Sequence, residues 1–570
     1  MSETGILTPI NRAPSCIQSS YWAPEMDSQI SSTFRLLFVL LFGFLQAASA
    51  QNQEGFLQCL RLYSQNPASI SNVTYTPINS SYSSVLNSSI QNLRFSTPTT
   101  PKPRVIVTAL NVSHIQTTII CARIHGLQIR TRSGGHDYEG LSYVSDVPFV
   151  ILDLINIRNV TIDEETSTAW IQAAATNGEI CYRIGEKTRT LGFPAGVCTG
   201  VGSGGFISGG GYGPLMRKYG LAADQVIDTQ LIDVEGRVLD RNSMGEDLFW
   251  AIRGGGGASF GVVVAWKVKL VPVPSNVTVF SITRTLEQNA TNLVYKWQSV
   301  APKLPGDLYL RLMISRVNST EEGEMTIQAT FDALFLGTTN GLLQLMQERF
   351  PELNATRQDC TEVSWVQSVL FFAGFPMDSL ELLLNRRPFE ARFKAKSDYV
   401  KEPIPEFALE GLWERLFEEE AAGAVLLLAP YGARMAEISE SSTPFPHRAG
   451  NLYKIHHYVG WQEVDSEASQ KYISWIRRLY SYMAPYVSKN PREAYVNYRD
   501  LDIGTNNKGK CTSYKQAKIW GEKYFKNNFD RLVRVKTEVD PSNFFRNEQS
   551  IPPISSYCYN SEDDKLSSAM

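Results

Sequence analysis

The spacing of apolar residues changes several times along the 570-residue chain. Arg35 to Leu45 reads RLLFVLLFGFL, an unbroken apolar run behind one arginine. It is shorter than the roughly 20 residues a bilayer span requires, and Ala48-Ser49-Ala50 follows as a small-residue cleavage pattern. Residues 1–50 therefore read as a cleaved secretory leader, with a membrane anchor as the alternative. Met26 offers a conventional start, which makes 1–25 an upstream extension. Residues 51–97 are rich in Ser and Asn and predict a helix carrying Cys59, then a solvated extended segment. From Pro98 the texture becomes strand-like at Arg104–Leu110, Leu127–Ser133, Phe149–Leu154 and Thr168–Ala175, β-branched or alternating runs bounded by Gly, Pro and Asp. Val112 to Gly126 has helical spacing and ends on glycine, so a β-α-β unit is predicted over 104–133.

Further strands are predicted at 224–236 and 260–274, and Pro272 and Pro274 mark a boundary. Beyond them, strand patterns (VTVFSITRTL, LYLRLMISRV, MTIQATFDALFLG) alternate with helical ones (NGLLQLMQERF, SEASQKYISWIRRLYSYM). This is α+β texture, a sheet backed by helices. Residues 514–540 read as one amphipathic helix stopped at Asp540-Pro541. The resulting units are 51–97, 98–273, 274–480, 481–553 and a tail, 554–570.

With 43% hydrophobic and 19% charged residues, the chain is neither disordered nor collagen-like. A formal charge of −3 without recurrent basic blocks argues against a nucleic-acid partner. Sequons at Asn72, Asn79, Asn87, Asn111, Asn159, Asn276, Asn289, Asn318 and Asn354 agree with a secretory route. No other apolar segment reaches membrane-spanning length, so a soluble mature chain is expected. That chain keeps seven cysteines, Cys59, Cys121, Cys181, Cys198, Cys360, Cys511 and Cys558. The odd number leaves one thiol free, shared with another chain, or used in some other covalent bond. The cysteine spacing gives no metal site.

Candidate chemistry concentrates in glycine. Gly196 to Gly213 reads GVCTGVGSGGFISGGGYG. Glycine lets the backbone approach a ligand closely, and successive inward N–H groups suit a diphosphate. Gly200, Gly202 and Gly205 satisfy GxGxxG, but the dinucleotide-fold reading fails. Gly192-Phe193-Pro194 stands where a buried strand is required, and the further glycines each cost about 1 kcal/mol in a helix. The segment reads as a loop wrapped around a ligand. Phe206, Ile207, Tyr212 and Cys198 are not linker composition. A second turn, Arg132-Ser133-Gly134-Gly135-His136, places an imidazole just past a strand end, and Gly254 to Gly257 adds a third close approach. Three such loops point to one large phosphate-bearing cofactor.

RSGGHDYEGLSY (132–143) and the segment from Gly196 to Asp228 resemble the paired flavin-attachment segments of plant berberine bridge enzyme-like FAD-linked oxidases. AEISESSTPFPHRAG, AYVNYRDLDIG and FFRNEQSIPP resemble the same family's later signatures, in order. The resemblance implies an FAD-binding domain of the vanillyl-alcohol oxidase/p-cresol methylhydroxylase type at 98–273. It implies a substrate domain at 274–480 with an antiparallel sheet backed by helices, and a segment at 481–553 that returns to the FAD domain. It further implies FAD bound covalently, its 8α carbon to His136 and its C6 to Cys198, and a Cys59–Cys121 disulfide. Cofactor contacts are expected from Arg132, Ser133, Gly134, Gly135, Asp137, Val201, Gly202, Ser203, Gly204, Gly205, Gly209, Tyr212, Val262 and Asn497. Two departures stand out: Cys198-Thr199 where the family often has Cys-Pro, and Gly204-Gly205-Phe206 where it often has Gly-Gly-His. Val201 occupies the small position that in the family admits dioxygen.

Such an oxidase moves a hydride to the flavin while a base takes a proton from the substrate. The resemblance puts the base at Tyr498, whose phenol needs a cation such as Arg499 or Lys454 to ionise near neutral pH. Tyr138 is expected on the substrate side. Lys454 and His456 share a strand face by period-two alternation, His456 as a second base or as a hydrogen-bonding wall. The expected partners are a small-molecule substrate (alcohol, phenol, alkaloid or sugar) and dioxygen, for a monomer outside the cell or in a vacuole. A dehydrogenase using another acceptor and a non-catalytic secreted flavoprotein are the alternatives.

Overall fold

A computed structural model describes residues 52–319, 323–386, 391–507 and 512–554. The leader, the tail, Cys511 and Cys558 lie outside these residues. Three main sheets carry the fold. The first has four strands in the order Thr74–Tyr75, Val105–Thr108, Phe149–Asp153, Gln128–Arg132, the last three parallel. Their runs are buried on both faces, as parallel strands under helices are. The helix Val112–Ile124 joins Val105–Thr108 to Gln128–Arg132, but the two strands are not neighbours: Phe149–Asp153 inserts between them. Cys59 and Cys121 are disulfide-bonded, and both pack into this sheet's core.

The second sheet is antiparallel, in the order Val160–Asp163, Thr168–Gln172, Val262–Lys269, Val226–Ile232, Val238–Leu239. The third is a seven-stranded antiparallel sheet: Cys360–Val363, Val277–Thr285, Met325–Phe335, Leu308–Asn318, Ala424–Pro430, Tyr453–Trp461, Arg392–Val400. Helices Ala290–Val300, Glu406–Phe417 and Ser466–Met483 bury Leu293, Trp297, Leu412, Trp413, Trp475 and Ile476 in one core with its strands. The fold is therefore α+β: two smaller sheets with their helices, and a seven-stranded antiparallel sheet backed by helices.

Two local readings are corrected. The glycine segment is not loop throughout, because Ser203–Ser208 forms a short helix with Gly202 at its N-cap. Ser203 and Gly204 donate backbone N–H groups to Ala175 and Ala173, tertiary bonds that outweigh glycine's poor helix propensity. The helix expected over 514–540 is two, Tyr514–Phe525 and Asn528–Val539, broken where Lys526 takes φ of 48°. The break lets Phe529 pack closely against Gly521, where a Cβ would come within 2.3 Å of the ring.

Candidate functional site

The strand Gln128–Arg132 runs directly into Ser133-Gly134-Gly135-His136 at one end of the first sheet. Gly135 has φ of 70°, and a Cβ there would lie 1.8 Å from the Ser89 carbonyl oxygen, so only glycine makes this turn. The Cys198–Gly202 loop packs against it without intervening side chains. A Cβ on Gly134 would lie 2.5 Å from the Gly202 nitrogen, and one on Gly200 would lie 3.2 Å from His136 Nε2. His136 and Cys198 thus line one elongated cavity, with Gly134, Gly135, Val201, Gly202, Gly204, Gly205, Gly209 and the Gly255–Ser259 turn. Its far wall is the C-terminal segment, with Asn497, Tyr498, Phe545, Arg546 and Asn547.

Burial, partly offset by the Gly200 backbone, holds His136 down to about 4, so its imidazole is neutral near neutral pH. Its Nε2 is buried and has no hydrogen-bond partner among the described residues. Cys198 is exposed only in being open to the cavity it lines. Enclosure pushes its thiol up, and the Gly200 and Val201 N–H groups pull it down. Asn177 Nδ2 donates to the Cys198 carbonyl at 3.3 Å, bracing the loop.

A cluster of aromatic rings, Tyr138, Tyr212, Tyr495 and Tyr498, forms part of this cavity's wall. Tyr138 and Tyr498 are parallel, with centroids 5.4 Å apart and planes 8° apart. The His456 ring centre lies 4.0 Å from that of Tyr498 and 5.7 Å from that of Tyr138, stacked against both. The Tyr498 hydroxyl is hydrogen-bonded to Tyr212. Lys454 Nζ sits 3.2 Å from the Tyr212 ring centre, 4.1 Å from Tyr495 and 4.5 Å from Tyr498, with no hydrogen-bond partner among the described residues. Burial drives the Lys454 ammonium well below its ordinary range and the Tyr498 phenol well above its own. The three aromatic faces favour the charged amine against that burial. His456 falls to about 3 through burial and the nearby Lys454, and is neutral.

The remaining expected residues separate clearly. Ser133, Asp137, Tyr212 and Asn497 line the cavity, but Arg132, Ser203 and Val262 do not. Arg132 is fully buried in an ion pair with Asp153 and donates to the carbonyls of Val85 and Leu86. Ser203 donates to the Gln172 carbonyl. Val262 faces the core, and strand alternation turns Val263 to the cavity instead. Arg499, one of the two cations considered for Tyr498, pairs with Asp137 at 3.4 Å. Lys454 and His456 do not line the cavity but contact rings that do, Lys454 against Tyr212 and His456 against Tyr498 and Tyr138.

Arg130 was not anticipated. It lines the cavity two residues before Arg132, bound to Glu548 through Nη2, while its buried Nε and Nη1 have no partner among the described residues. Its only sequence signal was its place on the strand that feeds the glycine turn. Gly205 and Gly256 also line the cavity, and a Cβ on either would meet no protein atom within 4 Å. Unpaired cationic N–H groups, open glycine backbone and an apolar, ring-lined end suit a dinucleotide with a flat aromatic head, as FAD is.

Residues 103–242 match the family model "FAD binding domain", and residues 494–552 match "Berberine and berberine like". Tetrahydroberberine oxidase of Berberis wilsoniae is 54% identical over 536 residues, covering 93% of this chain and 100% of the relative. This chain belongs to the berberine bridge enzyme-like family. It is an FAD-linked oxidoreductase with that family's fold. The structure of berberine bridge enzyme-like 28 from Arabidopsis thaliana superposes with a TM-score of 0.83 at 49% identity, covering 88% of this chain and all of that one. The grass pollen allergen Phl p 4, a glucose dehydrogenase, gives a TM-score of 0.82 at 45% identity over 88% and 99% of the two chains. An isoleucine-to-valine variant of that allergen is a glucose oxidase, similar to this chain at a TM-score of 0.82 and 46% identity over the same shares.

Proposed function

We propose that the chain is a secreted oxidase that takes a hydride from a carbon of a small alcohol, phenol, alkaloid or sugar and passes the electrons to dioxygen, releasing hydrogen peroxide. FAD is held by two covalent bonds, its 8α carbon to His136 and its C6 to Cys198. The observation that carries this reading is the meeting of His136 and Cys198 on one cavity with the Tyr138–Tyr498 stack. When bound, FAD supplies the two-electron acceptor for the substrate and the donor for dioxygen. Arg130 and the Gly134–Gly135 and Gly204–Gly205 backbones would hold its diphosphate, and Asn177 and Asn497 would orient the attached ring.

The protein supplies the proton chemistry. A neutral His136 keeps the lone pair that covalent attachment needs. Tyr498 takes the proton from the substrate's hydroxyl or nitrogen. Neither a phenolate nor an ammonium is favourable alone at this depth, but Lys454 beside the ring offsets each charge with the other. His456, neutral and stacked on Tyr498, acts as a wall and hydrogen-bonding group. Val201, small and on the cavity wall, leaves a path for dioxygen, in keeping with the valine variant of the pollen protein being an oxidase.

Acid denaturation of the purified protein tests the linkage. Yellow material should stay with the polypeptide and be released from the His136→Ala/Cys198→Ala double variant. Pigment that leaves the wild type in acid refutes the bicovalent linkage. Peroxide release on sugars, monolignols and alkaloids then identifies the substrate class.

A further inference from the structure

Tyr138 and Tyr498 come from segments 360 residues apart, yet their rings are parallel to within 8°. Ring contact alone is a weak constraint, since stacked pairs contribute only about 1 kcal/mol. The two segments meet instead on one strand, Arg392–Val400, at the edge of the seven-stranded sheet. The Lys394 ammonium bonds Glu139, the residue after Tyr138, and also Asp500 at 2.8 Å, two residues after Tyr498. Lys396, two positions along the same face, bonds the other oxygen of Asp500 at 2.6 Å and Asp502 at 2.8 Å. Glu139 also accepts from Arg94 and from the Leu501 N–H at 3.3 Å. Asn92 completes the arrangement by donating to the carbonyls of both Tyr138 and Phe393 at 3.0 Å. Lys394, Lys396, Glu139 and Asp500 are all buried, so these bonds are not screened by solvent.

We infer that Lys394 is a positioning residue for the reaction, fixing the spacing between Tyr138 and Tyr498 by sharing one ammonium between Glu139 and Asp500. The inference rests on the reading of Tyr498 as the base. Without the shared cation, only the Leu501 N–H bond still ties Glu139 to the Tyr498 segment, the buried carboxylates of Glu139 and Asp500 lose the charge between them, and the phenol drifts from the position at which it meets the substrate. A displacement near 1 Å is enough to slow chemistry by about a hundredfold.

The test uses the holoprotein with Lys394→Met, nearly isosteric and uncharged, and the milder Glu139→Gln should Lys394→Met fail to fold. Acid-stable flavin should remain at wild-type content. The crystal structure should show the Tyr138 and Tyr498 rings no longer parallel or further apart than 5.4 Å. Anaerobic reduction by whichever of tetrahydroberberine, coniferyl alcohol or glucose reduces the wild type fastest should fall about tenfold to a hundredfold at saturation. The half-saturating concentration should change less than about threefold, a split that general loosening of the fold would not produce. An unchanged ring pair, or reduction at the wild-type rate, overturns the inference. Tyr498→Phe is run alongside. If it too reduces at the wild-type rate, the reading of Tyr498 is what fails; if only Lys394→Met does, the base stands and the positioning role falls.

Discussion

Tyr498 is enclosed by Tyr138, Tyr212, Tyr495 and His456, and that enclosure raises its phenol well above 10. The base form is therefore scarce at neutral pH, and flavin reduction should climb as pH rises. In Tyr498→Phe that climb should vanish and the rate fall by about a hundredfold or more, with the flavin still attached. Stopped-flow reduction across pH checks both. At Val201 the expected effect falls on the other half-reaction. Val201→Ile should leave substrate reduction within about twofold and slow reoxidation by air by about tenfold or more, seen by mixing the reduced protein with aerated buffer. That His136, Cys198 and Tyr498 would meet at one site was legible in the sequence, because the motifs around them are local, and all three line the cavity. Arg130 and Arg132 were not separable, since both are arginines on one strand and only the fold shows that Asp153 neutralises the second.

Among the elements, the segment preceding Tyr498 carries its own acid sensitivity. Glu493 is buried against His447 at 2.8 Å and Lys401. Burial would raise its carboxyl, but those two partners hold it at about 2. His447 lies between the Glu493 carboxylate and the Tyr524 carbonyl at 3.1 Å, and burial holds its imidazole below the ordinary range although Glu493 opposes that shift. A depressed carboxylate stabilises the fold above its unfolded pKa near 4.5, and that contribution is lost as pH falls toward 2. It amounts to roughly 3 kcal/mol. The melting temperature should fall steeply below pH 4.5, and Glu493→Gln should be less stable at pH 7 with a flatter acid limb. Four strands of the seven-stranded sheet, Val277–Thr285, Leu308–Asn318, Met325–Phe335 and Tyr453–Trp461, were readable from their pattern, but Cys360–Val363, Arg392–Val400 and Ala424–Pro430 were not, nor was the break at Lys526, because the heptad-like apolar spacing continues through Lys526-Asn527-Asn528. Tertiary contact decides there: Asn528 donates to the carbonyls of Glu440, Thr443 and Pro444.

For the whole molecule, the order in which strands assemble departs most from the order in which they are read. Phe149–Asp153 enters between two strands that precede it, and Arg392–Val400 ends at an edge beside Tyr453–Trp461. Nothing in the composition of those runs encodes their neighbours. The sequons are consistent at this scale. All nine asparagines are exposed, on every part of the chain from Asn72 to Asn354. Protein made through a eukaryotic secretory route should lose apparent mass on glycosidase treatment and keep its fold by circular dichroism.

The wall formed by Phe545, Arg546, Asn547 and Gln549 means that the cavity is finished by nearly the last described residues. Glu548 closes on Arg130, and Gln128 reaches the Arg546 carbonyl at 3.0 Å. A chain still emerging from the ribosome has His136 and Cys198 but not the segment that closes the cavity over them. Capture of the prosthetic group thus belongs to the end of synthesis, and a stop codon before Phe544 should yield colourless protein although His136 and Cys198 are intact.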